Sequence, residues 1–300
     1  MASKRLDIVV LLREVRDPRP PARLAGGGAA VRDTGLRRIV NPDDLSALEV
    51  AAGLADARDA AVTAVALGSD RLDDALRLAL SMGAARAVRV WDDAMEDGDA
   101  VAEARVLRRV LEILRPALFL AGTRLLDRGD DPSPALAAAS AGLPLASAAL
   151  SLRLDPDRDR AEVVRRSEKG ARQRVALHLP CAVLVDAAAA EPRYPDLPAV
   201  LRSIEAPVER WGIEELGLPA RALGFDGAAL RAAGVGVPRC DPLRVEAPDA
   251  SLPAHERVRQ LFSGGIRPRG GRMHFGTADE AASRILEILG EEGLVPRSAR

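Results

Sequence analysis

The stretch Gly122-Thr123-Arg124-Leu125-Leu126-Asp127-Arg128-Gly129-Asp130-Asp131-Pro132-Ser133-Pro134 is the part of this sequence best suited to hold a ligand. It leaves a short apolar run at a glycine and enters an alanine-rich segment at Ser133. A glycine exit followed by a helix N-terminus presents backbone N–H groups and the positive end of the helix dipole, a cradle for phosphate. The competing interpretation is a charged surface connection. Pro134 bears on that choice because it has no amide to donate.

Other candidates are fewer. Arg13 follows the first apolar run and can either approach an anion in the same place or pair with Glu14 or Asp17. His178, His255 and His274 are too far apart for a metal pair or an acid-base dyad at helical spacing, and are expected to be structural. Cys181 and Cys240 cannot build a disulfide framework, a zinc site or an all-cysteine iron-sulfur cluster, so any redox chemistry needs a bound organic cofactor. Cys181 is expected to be a small buried apolar residue. Gly26 to Gly28 lacks the strand-to-helix setting of a dinucleotide fingerprint and suits a hairpin tip.

The elements that must position these residues can be read from periodicity. Asp7 to Leu12, Ala61 to Leu67, Arg86 to Trp91 and Ala117 to Ala121 read as the strands of a parallel sheet. Between them lie amphipathic segments. One is capped at Asn41-Pro42 and runs to about Leu54, one carries Leu72, Ala75, Leu76, Ala79 and Leu80 on a single face, and one spans Val101 to Leu114 with Val106, Val110 and Ile113 inward. In such a sheet ligands sit at the carboxyl ends of the strands, which is where the Gly122 loop lies. Ala146 to Leu154, Ala161 to Arg166 and Gln173 to Leu179 read as antiparallel strands added to the sheet. The last ninety or so residues hold two convincing helices, His255 to Phe262 and Asp279 to Leu289, the second opened by Thr277 and Glu280 as a capping box. So long a segment without its own core is expected to wrap another subunit.

Composition narrows the function classes. With 43 basic against 44 acidic residues the net field is close to zero, which gives no electrostatic case for nucleic acid or an anionic membrane as a partner. One tyrosine, two tryptophans and four phenylalanines supply no stacking platform for single strands. No apolar run approaches the roughly eighteen residues of a membrane helix, and no apolar signal core follows the first residues, so no membrane insertion and a cytoplasm-type or matrix-type protein are expected, with a cytoplasmic, bacterial location taken as the reading.

Four ordered blocks resemble the beta subunit of electron transfer flavoproteins: Val40 to Glu49, Ala75 to Ala87, Leu179 to Val183 and Glu191 to Pro198, with a weaker likeness over Gly271 to Gly293. The resemblance implies a heterodimer whose alpha partner carries the redox-active FAD. The beta chain would hold a buried AMP or, in electron-bifurcating members, a second FAD, and would catalyse no bond chemistry itself. Carried over by residue, the nucleotide pocket resembles Leu11, Asn41, Pro42, Asp43, Asp44, Leu67, Gly122, Thr123, Asp127, Arg128, Gly129, Asp130 and Ser133. Asp127 would cap the phosphate loop or orient the ribose. Arg124, Leu125, Gly129, Pro132 and Pro134 depart from the family's usual loop.

Glu191, Pro192, Arg193, Tyr194, Leu197 and Pro198 resemble the family's recognition loop for flavin dehydrogenases, with Leu197 as the anchor. The alternative is a leucine packed back on its own domain. The expected fold is α/β, a Rossmann-like parallel sheet flanked by helices, with an antiparallel extension and a long C-terminal arm. Residues 1–210 would form the adenine-nucleotide-binding domain and 211–300 the arm on the alpha subunit. Electrons would pass on to a membrane quinone oxidoreductase. An adenylating or nucleotide-sensing module on a similar sheet would need a glycine-rich pyrophosphate loop after the first or fourth strand, and neither is present.

Overall fold

The computed structural model describes residues 5–20, 37–57, 59–155, 159–231, 248–262 and 275–291. They belong to two compact units, Met1–Val237 and Pro238–Arg300. Gly26 to Gly28, Cys240, His274 and the turn at 156–158 lie outside the described residues.

The strands of the first unit, in chain order, are β1 (Leu6–Leu12), β2 (Glu14–Arg16), β3 (Arg38–Val40), β4 (Ala60–Leu67), β5 (Arg86–Val90), β6 (Leu118–Gly122), β7 (Arg124–Leu125), β8 (Gly129–Asp130), β9 (Leu145–Leu154), β10 (Arg160–Arg166), β11 (Arg172–His178), β12 (Cys181–Val185) and β13 (Glu209–Trp211). A nine-stranded sheet runs in the order β11-β10-β9-β12-β6-β1-β4-β5-β13. From β9 to β13 every neighbouring pair is parallel, and β10 and β11 extend the edge as antiparallel strands. Two small hairpins, β2 with β3 and β7 with β8, sit at the carboxyl ends of the central strands.

Helices α1 (Pro42–Ala57), α2 (Asp73–Ser81), α3 (Ala100–Leu114) and α4 (Ser133–Ser140) follow the strands that the sequence pattern marks. Along β1, Ile8, Val10 and Leu12 pack into one core with Leu48 and Leu76, while Val9 and Leu11 pack into a second core with Leu107, Val110 and Phe119. Successive side chains of a strand face opposite sides, so a sheet covered on both faces needs an unbroken apolar run. That is why these strands are legible without alternation.

Three expectations change. Ile113 is 37% exposed, and Leu107 and Leu111 take the inward positions on α3. Cys181–Val185 is a fully buried parallel strand between β6 and β9, an interior position that the short run Pro180 to Val185 did not announce. β9 is antiparallel only to β10 and parallel to β12, and its register shifts beside Ala148, whose φ of 56° marks a bulge. Cys181 is wholly buried, and burial pushes its thiol up to about 11.

Four shorter elements complete the first unit: α5 (Leu197–Glu205), packed on α2, then β13 at the sheet edge and the one-turn helices α6 (Ile213–Leu216) and α7 (Gly224–Gly227) against α3. In the second unit α8 (Ala254–Phe262) and α9 (Ala278–Glu291) are separate helices with no buried residue among those described. The Thr277 amide donates to Glu280 Oε2 at 2.8 Å and the Glu280 amide to Thr277 Oγ1 at 3.4 Å, the expected capping box.

Gly122 is where β6 meets the first turn of α1. A Cβ there would lie 2.5 Å from Asp44 Oδ1, 2.6 Å from Asp43 Cβ and 2.8 Å from the Asp44 amide nitrogen. Backbone on one side and a buried carboxylate on the other leave no cheap relaxation. Gly122→Ala is expected to cost about 1–3 kcal/mol of stability, read as a lowered melting temperature. An unchanged melting temperature would show that the strand end and the helix are not in contact.

Candidate functional site

The carboxyl ends of β1, β4 and β6 open into a cleft whose walls include Leu11, Leu67, Leu72 and Leu107 on the apolar side and Arg38, Arg71 and Arg128 on the cationic side. Glu14, Glu103, Asp131 and Ser133 share it. Burial pushes the Glu103 carboxyl above its usual range, and Asp131 acts in the same direction.

Beneath the cleft the polar groups are spent on one another. Asp44, whose side chain is 0% exposed, accepts from Arg13 Nη2 at 2.6 Å and Nε at 3.0 Å, from the Arg13 amide at 3.0 Å and from the Gly122 amide at 2.6 Å. Arg13 also donates to Asp131 Oδ2 at 2.5 Å and to the Gly122 carbonyl at 2.9 Å. Burial works against the charge on Arg13, but the carboxylates of Asp44 and Asp131 more than offset it and hold the guanidinium above its ordinary range. Of the two sequence readings of Arg13, the ion pair is the one formed, with partners more distant along the chain than Glu14 or Asp17.

The Gly122 loop folds back as the β7–β8 hairpin, with Arg124 opposite Asp130 and Leu125 opposite Gly129. Asn41, at the start of α1, pins it: its side-chain amide donates to the Arg124 carbonyl at 2.7 Å and accepts from the Leu126 amide at 3.1 Å. Thr123 Oγ1 accepts from the Ala148 amide at 3.2 Å, at the bulge in β9. Asp127 Oδ2 accepts from the Arg16 amide at 3.0 Å, while Asp127 Oδ1 is buried without a hydrogen-bond partner.

These bonds test the fit of an adenine nucleotide. The first turn of α4 offers few amides: Pro132 and Pro134 have none, and the Ser133 amide already donates to Asp131 Oδ1 at 2.9 Å. The cations at the cleft can take phosphate in their place and the leucines can floor a base, whereas Asp127 does not line the cleft and its Oδ1 is buried 3.7 Å from Arg128 Nε. The residues fit a nucleotide, with side chains in the role that a helix N-terminus would fill. Asn41, Asp43, Asp44 and Gly122 brace the loop from below, Pro42 opens α1, and Gly129 and Asp130 lie exposed in the hairpin. Arg38, Arg71 and Glu103 were not singled out from sequence, because each comes from a different element, and Asp131 was marked only as part of the Gly122 to Pro134 stretch. Among the described residues no group of histidine, cysteine and acidic side chains could hold a metal ion.

The second candidate region begins where β12 ends. Asp186 and residues 187–193 run along α1, and Arg193 is clamped there. Its amide and guanidinium donate to Glu49, at 2.9 Å from the amide and 2.8 Å from Nη2, and Nη1 lies 2.8 Å from Asp56. Beyond the clamp Tyr194 is 97% and Leu197 69% exposed, and Glu191 and Pro198 are also exposed. Leu197 opens α5, with Asp196 as its cap accepting from the Ala199 amide at 2.6 Å. Leu201 and Ile204 continue the same exposed face at 56% and 57%. Leu197 is not packed in the core of its own unit.

The chain belongs to the electron transfer flavoprotein family, whose domain model, described as the electron transfer flavoprotein domain, matches residues 29–216. It is 29% identical over 235 residues to the electron transfer flavoprotein subunit beta of Methylophilus methylotrophus, covering 78% of each chain. A protein of the same description from Bacillus subtilis is 26% identical over 71% of this chain and 81% of its own. Protein FixA of Azorhizobium caulinodans is 30% identical over 71% of this chain and 77% of its own. Together with the mostly parallel sheet and flanking helices, these matches make the chain an electron transfer flavoprotein subunit.

The Arg13–Asp44 pair generates a direct test. Asp44→Ala would strand the Gly122 amide and leave Asp131 as the sole carboxylate on Arg13 in a dry junction, and a loss of about 2–4 kcal/mol is expected on chemical denaturation. A loss under about 1 kcal/mol would mean that water reaches the pair and screens it.

Proposed function

We propose that this chain is the beta subunit of a heterodimeric electron transfer flavoprotein, an electron carrier and not a catalyst of bond chemistry. Electrons enter from flavin dehydrogenases that dock on the Glu191–Pro198 loop and leave to a membrane quinone oxidoreductase. The redox-active FAD lies mainly with the alpha subunit, where it supplies the electron-accepting chemistry. The contribution of this chain is to shape the complex and to present the docking loop. The cleft at Leu11, Leu67 and the Gly122–Ser133 loop takes a structural AMP. Residues 1–210 form the nucleotide-binding domain, and 211–300 the arm that packs on the alpha subunit. A cytoplasmic location fits this role; among the described residues no helix is long and apolar enough to cross a membrane.

The observation that carries the proposal, beyond family membership, is the exposed Tyr194 and Leu197 on a loop held from behind by Arg193 and Glu49. A leucine left in water on a braced, proline-flanked segment suits a pocket on another protein, since little entropy remains to be lost on docking. The arm has the same character: Val258, Leu261 and Phe262 on α8 and Ile285, Leu286 and Ile288 on α9 are exposed apolar side chains.

Co-expression with an alpha subunit should give a yellow one-to-one heterodimer. Acid extraction is expected to release one FAD and one AMP from each. Two FAD per heterodimer would put the electron-bifurcating reading first, in which a second FAD in this chain oxidises NADH. Absence of adenine nucleotide beyond the one FAD would refute the proposed occupant of the cleft.

Leu197→Ala separates docking from folding. It is expected to weaken reduction by the donor dehydrogenase by about 1–3 kcal/mol in kcat/KM, with flavin content and melting temperature unchanged. Loss of stability with intact partner kinetics would remove the loop from the electron path.

A further inference from the structure

We propose that Asp43 is a positioning residue that joins the donor-docking loop to the loop over the nucleotide cleft, so that the state of one is felt at the other. The proposal rests on the functional reading above for what the two loops bind, and on this chain's own hydrogen bonds for the connection.

Asp43 sits in the first turn of α1 and is 7% exposed. Its two carboxylate oxygens serve different loops. Oδ2 accepts from the Arg124 amide at 3.0 Å, at the start of the β7–β8 hairpin, and Oδ1 accepts from the Ala187 amide at 3.2 Å, just after β12. One turn further along, Ser46 Oγ donates to the Asp186 carbonyl at 3.2 Å and accepts from the Ala190 amide at 3.0 Å. Glu49, one turn beyond that, takes the Arg193 clamp. Positions 43, 46 and 49 step along one side of a helix, so α1 is a rail on which residues 186–193 are hung. The docking residues Tyr194 and Leu197 follow at the end of that rail.

The rail alone would only fix the docking loop. Asp43 adds the other loop, because a short side chain with both oxygens engaged cannot follow Ala187 without moving Arg124. The location is an expensive one for a carboxylate. Burial pushes Asp43 above its ordinary range and the nearby Asp186 adds to it, against the pull of the Arg124 and Ala187 amides. A neutral residue would avoid that cost but could not accept from two backbone N–H groups through two oxygens. Coupling of this kind is reciprocal: a nucleotide that settles the hairpin favours the docking-competent loop, and a docked dehydrogenase favours the nucleotide by the same factor.

Asp43→Asn is the decisive variant, since it keeps the shape and turns one oxygen into an N–H donor facing another donor. It would be made in the heterodimer, co-expressed with the alpha subunit, beside the wild type. Hydrogen exchange at the amides of Arg124 and Ala187 is expected to speed up by about tenfold or more at one or both. KM for the donor dehydrogenase is expected to rise about tenfold, with kcat and FAD content unchanged. In the wild type, returning AMP to nucleotide-stripped heterodimer should lower that KM, and in Asp43→Asn it should not. Unchanged exchange at both amides overturns the proposal, as does faster exchange with an unchanged KM. A raised KM accompanied by loss of FAD marks a folding role only and also overturns it. If no flavin dehydrogenase reduces the wild type, the carrier reading fails, while the exchange measurement still decides whether Asp43 holds the two loops together.

Discussion

The buried carboxylate of Asp44 is the constraint around which the site is arranged. It lies with no exposed surface at the first turn of α1, where backbone N–H groups and the helix dipole already favour a negative charge. A charge in so dry a place persists only if fully partnered, and the partners define the site: the Arg13 side chain and amide from the end of β1, and the Gly122 amide from the end of β6. Arg13 then reaches on to Asp131, which takes the Ser133 amide at the start of α4. Two strand ends, two helix starts and a hairpin are thus held by a single chain of charge-assisted bonds. Glycine at position 122 is the steric condition for it, since any side chain would enter the contact.

This economy has a chemical consequence at the cleft. Groups that anchor the loop are not available to a ligand. Arg13 and the Ser133 amide are committed, and the prolines at 132 and 134 donate nothing. What the cleft offers an anion is carried by arginine side chains from separate elements, Arg38 from β3, Arg71 from the turn after β4 and Arg128 from the hairpin. These cations come from three separate elements, and Arg128 is itself paired with Asp127 at 3.7 Å.

The apolar surface is divided just as sharply. Both faces of the sheet are covered, yet Tyr194, Leu197, Leu201 and Ile204 form an uncovered strip, and α8 and α9 carry apolar faces of their own. On the first unit the strip is rigidly backed. Arg193 is held by Glu49 and Asp56, and the carbonyls of Ser203, Ile204 and Ala206 at the end of α5 accept from Arg77 of α2. The exposed apolar strip is thus backed by ion pairs and hydrogen bonds that hold its backbone in place.

Much of this was legible in the residues themselves. Short apolar runs marked β1, β4 and β6, the valine-rich Arg86 to Trp91 marked β5, helical spacing marked α2 and α3, and Thr277 with Glu280 marked the start of α9, because in each case the signal lies within one element. The blocks at Asn41–Asp44 and Gly122–Ser133 meet at the ends of β1 and β6, as their shared place at the strand exits implied. What sequence could not determine is which partner each charge would find. Arg13 and Asp44 are 31 positions apart, Asp43 and Ala187 are 144, and Arg13 and Asp131 are 118. No local pattern links such pairs, since only the crossing of strand ends over α1 brings them within hydrogen-bond reach. The same holds for β12, whose five residues read as a short apolar run until its neighbours β6 and β9 place it inside the sheet, and for Ile113, turned outward because the packing of α3 gives the core to Leu107 and Leu111. Local periodicity determined the elements; long-range contact, which no period encodes, decided their partners.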